Sequence, residues 1–413
     1  MKKESNRCTF LPRNFACSRR FIRHHLNRLA TSIKKTALET VHFLYCPEVN
    51  LPFVISRIAV IALSVLIGAA THIVSQSPSG VPSYLKVFAV WDGSWYVRIA
   101  ETGYHVQFDK FPDYVWFPLY PLLIRLFSVL TFGNYLVAAI VLSNVCLVLA
   151  MIFIYRYTEL LLGRPLARRS ILYLAIFPLS FVFSIAYPAS LKLLLVAAAF
   201  YFAETGRWRH AGIVGMLAAA TNPLGVFICF PLVLLYLRKK NFLRKGAAGR
   251  PRLGLQVLWL ALIPLGIIAY YAYLYFLTGN FWADVDGEGH FGRSFGMFFS
   301  TIFNSLRLAN TGSVLALLDL AFMGMYGALL AFMLWTRRFR LEHFLLAALF
   351  VIIPLSTGQT DGIGRYGMAA FPFFWALAAL GEKRPAFHRA YLVLAPVSLL
   401  ALLLLVGTPM FVP

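Results

Sequence analysis

Asp92 stands in the run Trp91-Asp92-Gly93-Ser94-Trp95-Tyr96, which continues through Ile99-Ala100 to Gly103-Tyr104. A second dense cluster, Trp116-Phe117-Pro118-Leu119-Tyr120-Pro121, follows it, and a polar loop carrying Asp109 and Asp113 lies between the two. A carboxylate among aromatic rings at the edge of an apolar chain is partly desolvated, which raises its pKa and improves it as a proton acceptor. Gly93 and Ser94 let backbone approach a substrate closely, and aromatic rings can stack on sugar faces. The residues alone leave a second reading open, in which Asp92 caps a helix starting near Ser94 and the tryptophans anchor the chain at a membrane interface.

Other groups are candidates for a supporting role. Arg365, in Gly358-Gln359-Thr360-Asp361-Gly362-Ile363-Gly364-Arg365-Tyr366, has the fork geometry that grips phosphate, or it pairs locally with Asp361. The segment Asp284-Val285-Asp286-Gly287-Glu288-Gly289-His290 begins like a calcium loop, but Phe295 occupies the twelfth position, where a bidentate Glu is needed. It therefore reads as a solvated acidic loop, and no metal site is expected. Arg293 is read as a surface residue, with closure over a ligand as its alternative role. Neither a G-x-S-x-G nor a P-loop occurs, and His105 and His290 read as surface residues rather than bases.

The elements that must position these groups are membrane helices. Of the 413 residues 60% are hydrophobic and only 13% charged, against about a quarter charged in an ordinary soluble domain. Apolar runs long enough to cross a bilayer recur along the chain without alternation, so an all-α polytopic membrane protein is expected. Spans are predicted at about 53–74, 134–155, 170–187, 190–203, 211–222, 225–237, 255–277, 313–335, 342–356, 368–381 and 389–408, eleven in all. Residues 1–52 form a basic N-terminal segment and 53–413 one membrane domain, with outer loops at about 75–133 and 278–312. Within the first loop, 116–132 is expected to lie as a helix at the interface, where aromatic residues concentrate. No internal repeat is evident, which weighs against repeat-built transporters.

The net charge of +22 does not point to nucleic acid. Most Lys and Arg fall in alternate inter-span segments; the exceptions are Lys86, Arg98, Lys110, Arg125, Lys192, Arg293, Arg307 and Arg365. Asp92, Glu101, Asp109, Asp113, Asp284, Asp286, Glu288 and Asp361 belong to the base-poor set. By the positive-inside rule the basic set, with the N-terminus, is cytoplasmic and the acid-bearing set faces out. The stretch Arg19 to Lys35 reads as a solvated topology-fixing tail or as a basic helix on anionic lipid. None of the five cysteines falls in an outer loop, so no disulfide is expected.

The pattern Trp91-Asp92, Ile99-Ala100, Gly103-Tyr104 and Phe117-Pro118-Leu119-Tyr120-Pro121 resembles the signature of the PIG-V family, GPI mannosyltransferase II and its bacterial relatives. Phe177-Pro178-Leu179-Ser180-Phe181, Tyr187-Pro188-x-Ser190-Leu191, Thr221-x-Pro223-x-Gly225, Arg365-Tyr366 and Phe371-Pro372 extend the likeness over roughly residues 55–380. The resemblance implies a GT-C fold and an inverting transfer of a hexose, mannose by analogy. The donor would be a polyprenyl phosphate and the acceptor a glycolipid or glycan on the outer side of a bacterial inner membrane. It implies Asp92 as base and a sugar pocket shaped by Trp91, Trp95, Tyr96 and Tyr120. The phosphate would be held by Arg365 beside Tyr366, with Asn222 and Lys192. It implies no nucleotide cofactor and leaves any metal requirement open.

Two positions depart from the family pattern. Ala189 stands where an acid is usual, and Asn222 where an Arg is usual; Lys192, one helical turn from Ala189, is a substitute phosphate contact or a snorkelling interface Lys. The alternatives in function are a non-catalytic lipid carrier or flippase, and a degenerate partner subunit of the same fold.

Overall fold

The structure is a computed structural model that describes residues 41, 43–70, 82–105, 112–242, 253–293, 296 and 298–406. The stretch Arg19 to Lys35, Asp109 and Phe295 lie outside these residues. The chain divides between Pro47 and Glu48, and the helical bundle is the second unit, Glu48–Pro413.

Helix α1 (Pro47–Ala70) opens the bundle. A 3-10 turn (Ser83–Ala89) leads into α2 (Asp92–Thr102) and then α3 (Leu119–Ser128). The 28-residue α4 (Tyr135–Leu162) is about 42 Å long at 1.5 Å per residue, more than a bilayer core. The Asn134 side chain accepts the Val137 N–H at its start. Gly163, at φ +86, ends it in a conformation that suits glycine, and Pro165 opens α5 (Arg164–Ala175).

Next come α6 (Ala189–Glu204), α7 (Trp208–Thr221) and α8 (Cys229–Lys239), the last entered through a 3-10 segment, Pro223–Ile228. A 3-10 segment (Leu255–Leu262) runs into α9 (Ile263–Thr278). The chain finishes with α10 (Ala283–Gly289), α11 (Phe298–Asn310), α12 (Val314–Thr336), α13 (Leu341–Leu355), α14 (Ile363–Met368), α15 (Pro372–Lys383) and α16 (Pro385–Val406). Among the described residues, five helical stretches are long and apolar enough to cross a membrane: Pro47–Ala70, Tyr135–Leu162, Leu255–Thr278, Val314–Thr336 and Pro385–Val406. The shorter helices α5 to α8 and α15 fill the centre, and α6 is buried along almost its whole length.

Two features make that centre possible. The first is close backbone contact through small residues, which substitutes for water-driven packing in a bilayer. A methyl group on Gly212 would meet the Trp259 carbonyl oxygen at 2.0 Å, one on Gly225 the Ala218 carbonyl oxygen at 2.0 Å, and one on Gly266 the Met216 carbonyl oxygen at 2.1 Å. The second is Arg57, only 4% exposed. The span predicted over 170–187 is α-helical only to Ala175 and resumes as a 3-10 turn, Ser180–Phe183; Pro178 cannot continue the α-helix. Irregular backbone at membrane depth must have its polar groups satisfied by protein. The Arg57 guanidinium does this, donating to the Ala175 carbonyl at 3.0 Å, the Ser180 carbonyl at 2.8 Å and the Ser184 hydroxyl at 3.0 Å.

Ion pairs sort the bundle into two ends. Arg164 and Arg168 meet Glu48, Arg238 joins Glu204 and Glu342, Arg340 joins Glu204, and Arg338 joins Glu382. All lie in the basic inter-span segments or at the helix ends beside them. At the other end are Asp92 with Arg365, Glu288 with Arg293 and His105 with Asp113. Among the described residues no ion pair mixes the two groups.

At that second end the predicted loops are largely helical. The interface helix expected over 116–132 is α3 with a 3-10 turn, Val129–Thr131. It buries Tyr120 and Ile124 and exposes Leu122, Leu126, Leu130 and Phe132. The loop expected over 278–312 contains α10 and α11. Helix α11 buries Thr301 and Ser305 and exposes Phe299, Phe303 and Leu306, an inside-out pattern suited to a lipid-facing surface.

Candidate active site

Helix α2 begins at Asp92 rather than near Ser94, and its carboxylate does not cap it. Trp91 precedes it at φ +53, ψ −125, a sparsely populated conformation for a non-glycine residue, of the kind that concentrates at functional sites. The Asp92 N–H donates to the Tyr187 hydroxyl at 3.0 Å. Gly93 makes this docking possible, because a methyl there would sit 3.3 Å from the Ala186 carbonyl oxygen. Ala186 is itself tied down, its N–H donating to the Phe88 carbonyl at 2.8 Å.

The Asp92 carboxylate points to α14. Arg365 Nη1 donates to Asp92 Oδ2 at 2.9 Å, across 273 residues of sequence. The alternative partner, Asp361, is exposed and has no ion pair with Arg365. Gly362 prepares this position twice. It sits at φ +82, and a methyl on it would come within 2.8 Å of the Arg365 guanidinium. The guanidinium lies 5.0 Å over the Tyr187 ring, and its Nε is buried without an acceptor among the described residues. Arg365 is 9% exposed, whereas the Asp92 side chain, deep among protein atoms, keeps 39% of its surface accessible. The carboxylate is thus surrounded by protein yet keeps an accessible edge.

Around this pair the structure gathers more charge. Lys192, 5% exposed at the start of α6, lies 5.2 Å over the Tyr366 ring, near enough to Arg365 to feel its charge. It has no carboxylate partner among the described residues. Arg293, paired with Glu288 at 3.3 Å, adds its field to Asp92, Arg365 and Tyr366. Asp319, buried on α12, also feels the Arg365 charge, so Arg365, Arg293 and Lys192 share this region with Asp92, Glu288 and Asp319.

Burial pushes the Asp92 carboxyl up, as the sequence led one to expect, but it is outweighed. The Arg365 guanidinium, by charge and hydrogen bond, with Arg293 and the Tyr187 hydroxyl, holds it below the usual carboxylate range. The expected upward shift is thus reversed. Tyr96, one helical turn along α2, is pushed well above the usual phenol range, first by burial and then by the Asp92 charge, so it stays protonated. Burial raises Glu288.

Other expected site residues sit differently. The ring of Trp95 stacks on Trp116 at 4.2 Å and carries the Arg98 guanidinium 4.0 Å from its centroid, so both faces are covered and neither is open to a sugar. Tyr120 is buried beneath Tyr96, ring centroids 5.3 Å apart, with its hydroxyl 2.7 Å from Ser143 Oγ; it supports the pocket and does not line it. Asn222 accepts the Leu224 N–H at 3.1 Å as the cap of the 3-10 segment before α8 and makes no bond to Asp92 or Arg365. Asp113 is fully buried and accepts the His105 N–H, bracing the turn after α2.

Tyr187, which the sequence offers only as part of the Tyr187-Pro188 motif, joins the candidate site through its hydroxyl. Arg293 is not the surface residue first expected; its charge reaches Asp92, nearer to its alternative role. The segment before Arg293, read as a solvated loop, is helix α10, with Asp284 buried and its carboxyl pushed up to about 6 by that burial. Among the described residues, no group of three or more His, Cys, Asp or Glu side chains is arranged to hold a metal.

No family model matches the chain, and no curated protein matches its sequence. In fold it is similar to ArnT from Cupriavidus metallidurans, solved bound to undecaprenyl phosphate. The TM-score is 0.50 at 15% identity, over 86% of this chain and 71% of that one. It is also similar to the oligosaccharyltransferase AglB from Archaeoglobus fulgidus, solved with an inhibitory peptide and a dolichol-phosphate, with a TM-score of 0.41 and 14% identity. That match covers 86% of this chain and 56% of AglB, so the chain spans about half its length. The fold is that of the GT-C membrane glycosyltransferases.

Proposed function

We propose that the protein is an inverting membrane glycosyltransferase. It moves a hexose, mannose on the PIG-V resemblance, from a polyprenyl-phosphate donor to a glycolipid or glycan acceptor. Its site would face the outer side of a bacterial inner membrane. The observation that carries this reading is the Asp92–Arg365 pair at 2.9 Å, with the Arg365 Nε left without an acceptor, at the end of the bundle opposite the basic segments. The undecaprenyl phosphate seen with ArnT agrees with such a donor.

In the reaction the acceptor oxygen attacks the anomeric carbon while the bond from that carbon to the phosphate oxygen breaks. Asp92 takes the acceptor proton, and the lipid phosphate leaves with the electron pair. Arg365, with Lys192 and Arg293 behind it, would hold the charge growing on the phosphate. The protonated Tyr96, on the Asp92 face of α2, and Trp91 would shape the sugar pocket.

The partner-subunit reading retains support from Ala189, which leaves Lys192 without an acid at the family position. Transfer by the purified chain alone decides against it. For the enzyme, Asp92→Asn is expected to lower transfer of labelled hexose from polyprenyl phosphate by at least about 100-fold while lipid binding persists. A carrier would show undiminished lipid translocation in the same variant, and that result would overturn the catalytic reading.

A further inference from the structure

Arg365 and Arg293 act on Asp92 from two separate stretches of chain, and one side chain ties those stretches together. Gln359, in the loop that leads from α13 to α14, donates its side-chain amide to the Phe291 carbonyl at 3.1 Å and to the Gly292 carbonyl at 3.0 Å. Both carbonyls lie just past the end of α10, where a helix leaves acceptors without partners of its own. A Gln amide carries two N–H donors, one for each of them. Gly292, at φ +71, leaves room for the contact, since a methyl there would collide with the Gln359 amide nitrogen. A second bond runs alongside, from the Gly296 N–H to the Ser356 carbonyl at 3.0 Å.

The turn that Gln359 grips leads to Asp92 by side-chain contact. The Phe291 ring meets Trp116 edge to face at 5.6 Å, and Trp116 stacks on Trp95, one helical turn from Asp92 on α2. The same turn carries Arg293, whose N–H donates to the Glu288 carbonyl at 3.1 Å and whose guanidinium pairs with the Glu288 carboxylate. On the other side the Gln359 loop enters α14 and Arg365. Thr360 fastens that loop to α12 and α11, donating to Asp319 at 3.1 Å and meeting Ser305 Oγ at 2.8 Å. The contacts close a ring from Asp92 through Trp95, Trp116, Phe291 and Gln359 to Arg365 and back. Helix α10 has seven residues, too few to hold a helix alone, and it rests on Pro112, Tyr114 and Val115 through Gly287. The turn after it has Gln359 for its anchor.

Resting on the reading of Asp92 as base, and deepening it, we infer that Gln359 is a positioning residue: by holding the turn after α10 against the loop before α14, it sets where the Arg293 guanidinium stands relative to Asp92 and Arg365.

The consequence is electrostatic. The groups that act on Asp92 come from each element around it: Arg365 on α14, Arg293 and Glu288 at α10, the Tyr187 hydroxyl, and Tyr96 on α2 itself. Arg293 helps to hold the carboxyl below its usual range, so releasing the turn from Gln359 lets that carboxyl rise.

Labelling of Asp92 by a water-soluble carbodiimide and an amine tests this without substrate, because the reagent takes the protonated acid. The site of labelling is located by mass spectrometry in the full-length protein in detergent. Gln359→Met keeps the length of the side chain and removes the donor; Gly292→Ala disturbs the same contact from the other side. Both are expected to move the Asp92 labelling profile to higher pH, as Arg293→Gln should. Adding Gln359→Met to Arg293→Gln should move it no further. Hydrogen exchange in the peptide covering 288–293 is expected to be roughly fivefold faster in Gln359→Met. Unchanged exchange overturns the inference. So does faster exchange with an unmoved labelling profile, which would reduce Gln359 to a structural bond. A full further shift in the Arg293→Gln background also overturns it, since Gln359 would then act on Asp92 by another route. Absence of hexose transfer by the unaltered chain would remove the enzyme reading, while the labelling profile still decides this one.

Discussion

The carboxylate of Asp92 shows how local sequence and tertiary setting can pull one group in opposite directions. Its aromatic neighbours and burial favour the neutral acid, whereas Arg365 and Arg293 favour the anion and prevail. The sign of the pH dependence follows. A carboxyl with a depressed folded value contributes its stabilisation fully above the unfolded value, about 3.9, and loses it as pH falls through the folded one. Arg293→Gln removes one of the groups holding Asp92 down. The acid limb of kcat/KM for that variant should therefore lie higher than in the unaltered chain, with Arg365 still holding the carboxyl down. A pH profile measured on both proteins checks this, and a limb that stays put or moves down would contradict it. At this scale the sequence was informative about identity but not about pairing. Asp92 and Arg365 were each candidates, yet nothing in the chain order joins residues 273 positions apart. Trp95 looked available for a sugar because the residues that cover it, Arg98 and Trp116, reach it only after folding.

Among the elements, the short central helices depend on backbone contact. Gly225 lies in the Thr221-x-Pro223-x-Gly225 stretch and approaches the Ala218 carbonyl so closely that any side chain must move backbone. Overpacking of this kind costs about 1–3 kcal/mol, and Gly225→Ala is expected near the upper end because the obstructing atom is main chain. The change should appear as a lowered unfolding temperature in detergent; an unchanged one would show that the 3-10 segment yields freely. The helical spans were legible because their apolar runs are continuous, and the broken one was marked by Pro178. The outer segments were harder to read. Gly287 and Gly289 with three acids read as loop, yet α10 forms because it packs on Pro112, Tyr114 and Val115. Helix α11 turns its apolar face outward, so a reading that expects apolar residues inside does not find it.

For the whole molecule, the decisive feature is the separation of its ion pairs. One end ties basic helix termini to Glu48, Glu204, Glu342 and Glu382; the other holds Asp92, Glu288 and Asp113 with their partners. The charge asymmetry of the sequence anticipated two chemically different ends. A structure of the protein with a bound polyprenyl phosphate tests the central claim most directly. The account predicts the phosphate against the Arg365 guanidinium, with the Asp92 carboxylate on the other side of the sugar-bearing carbon. A phosphate lodged instead at the opposite end, among Arg238, Lys239 and Arg340, would contradict it.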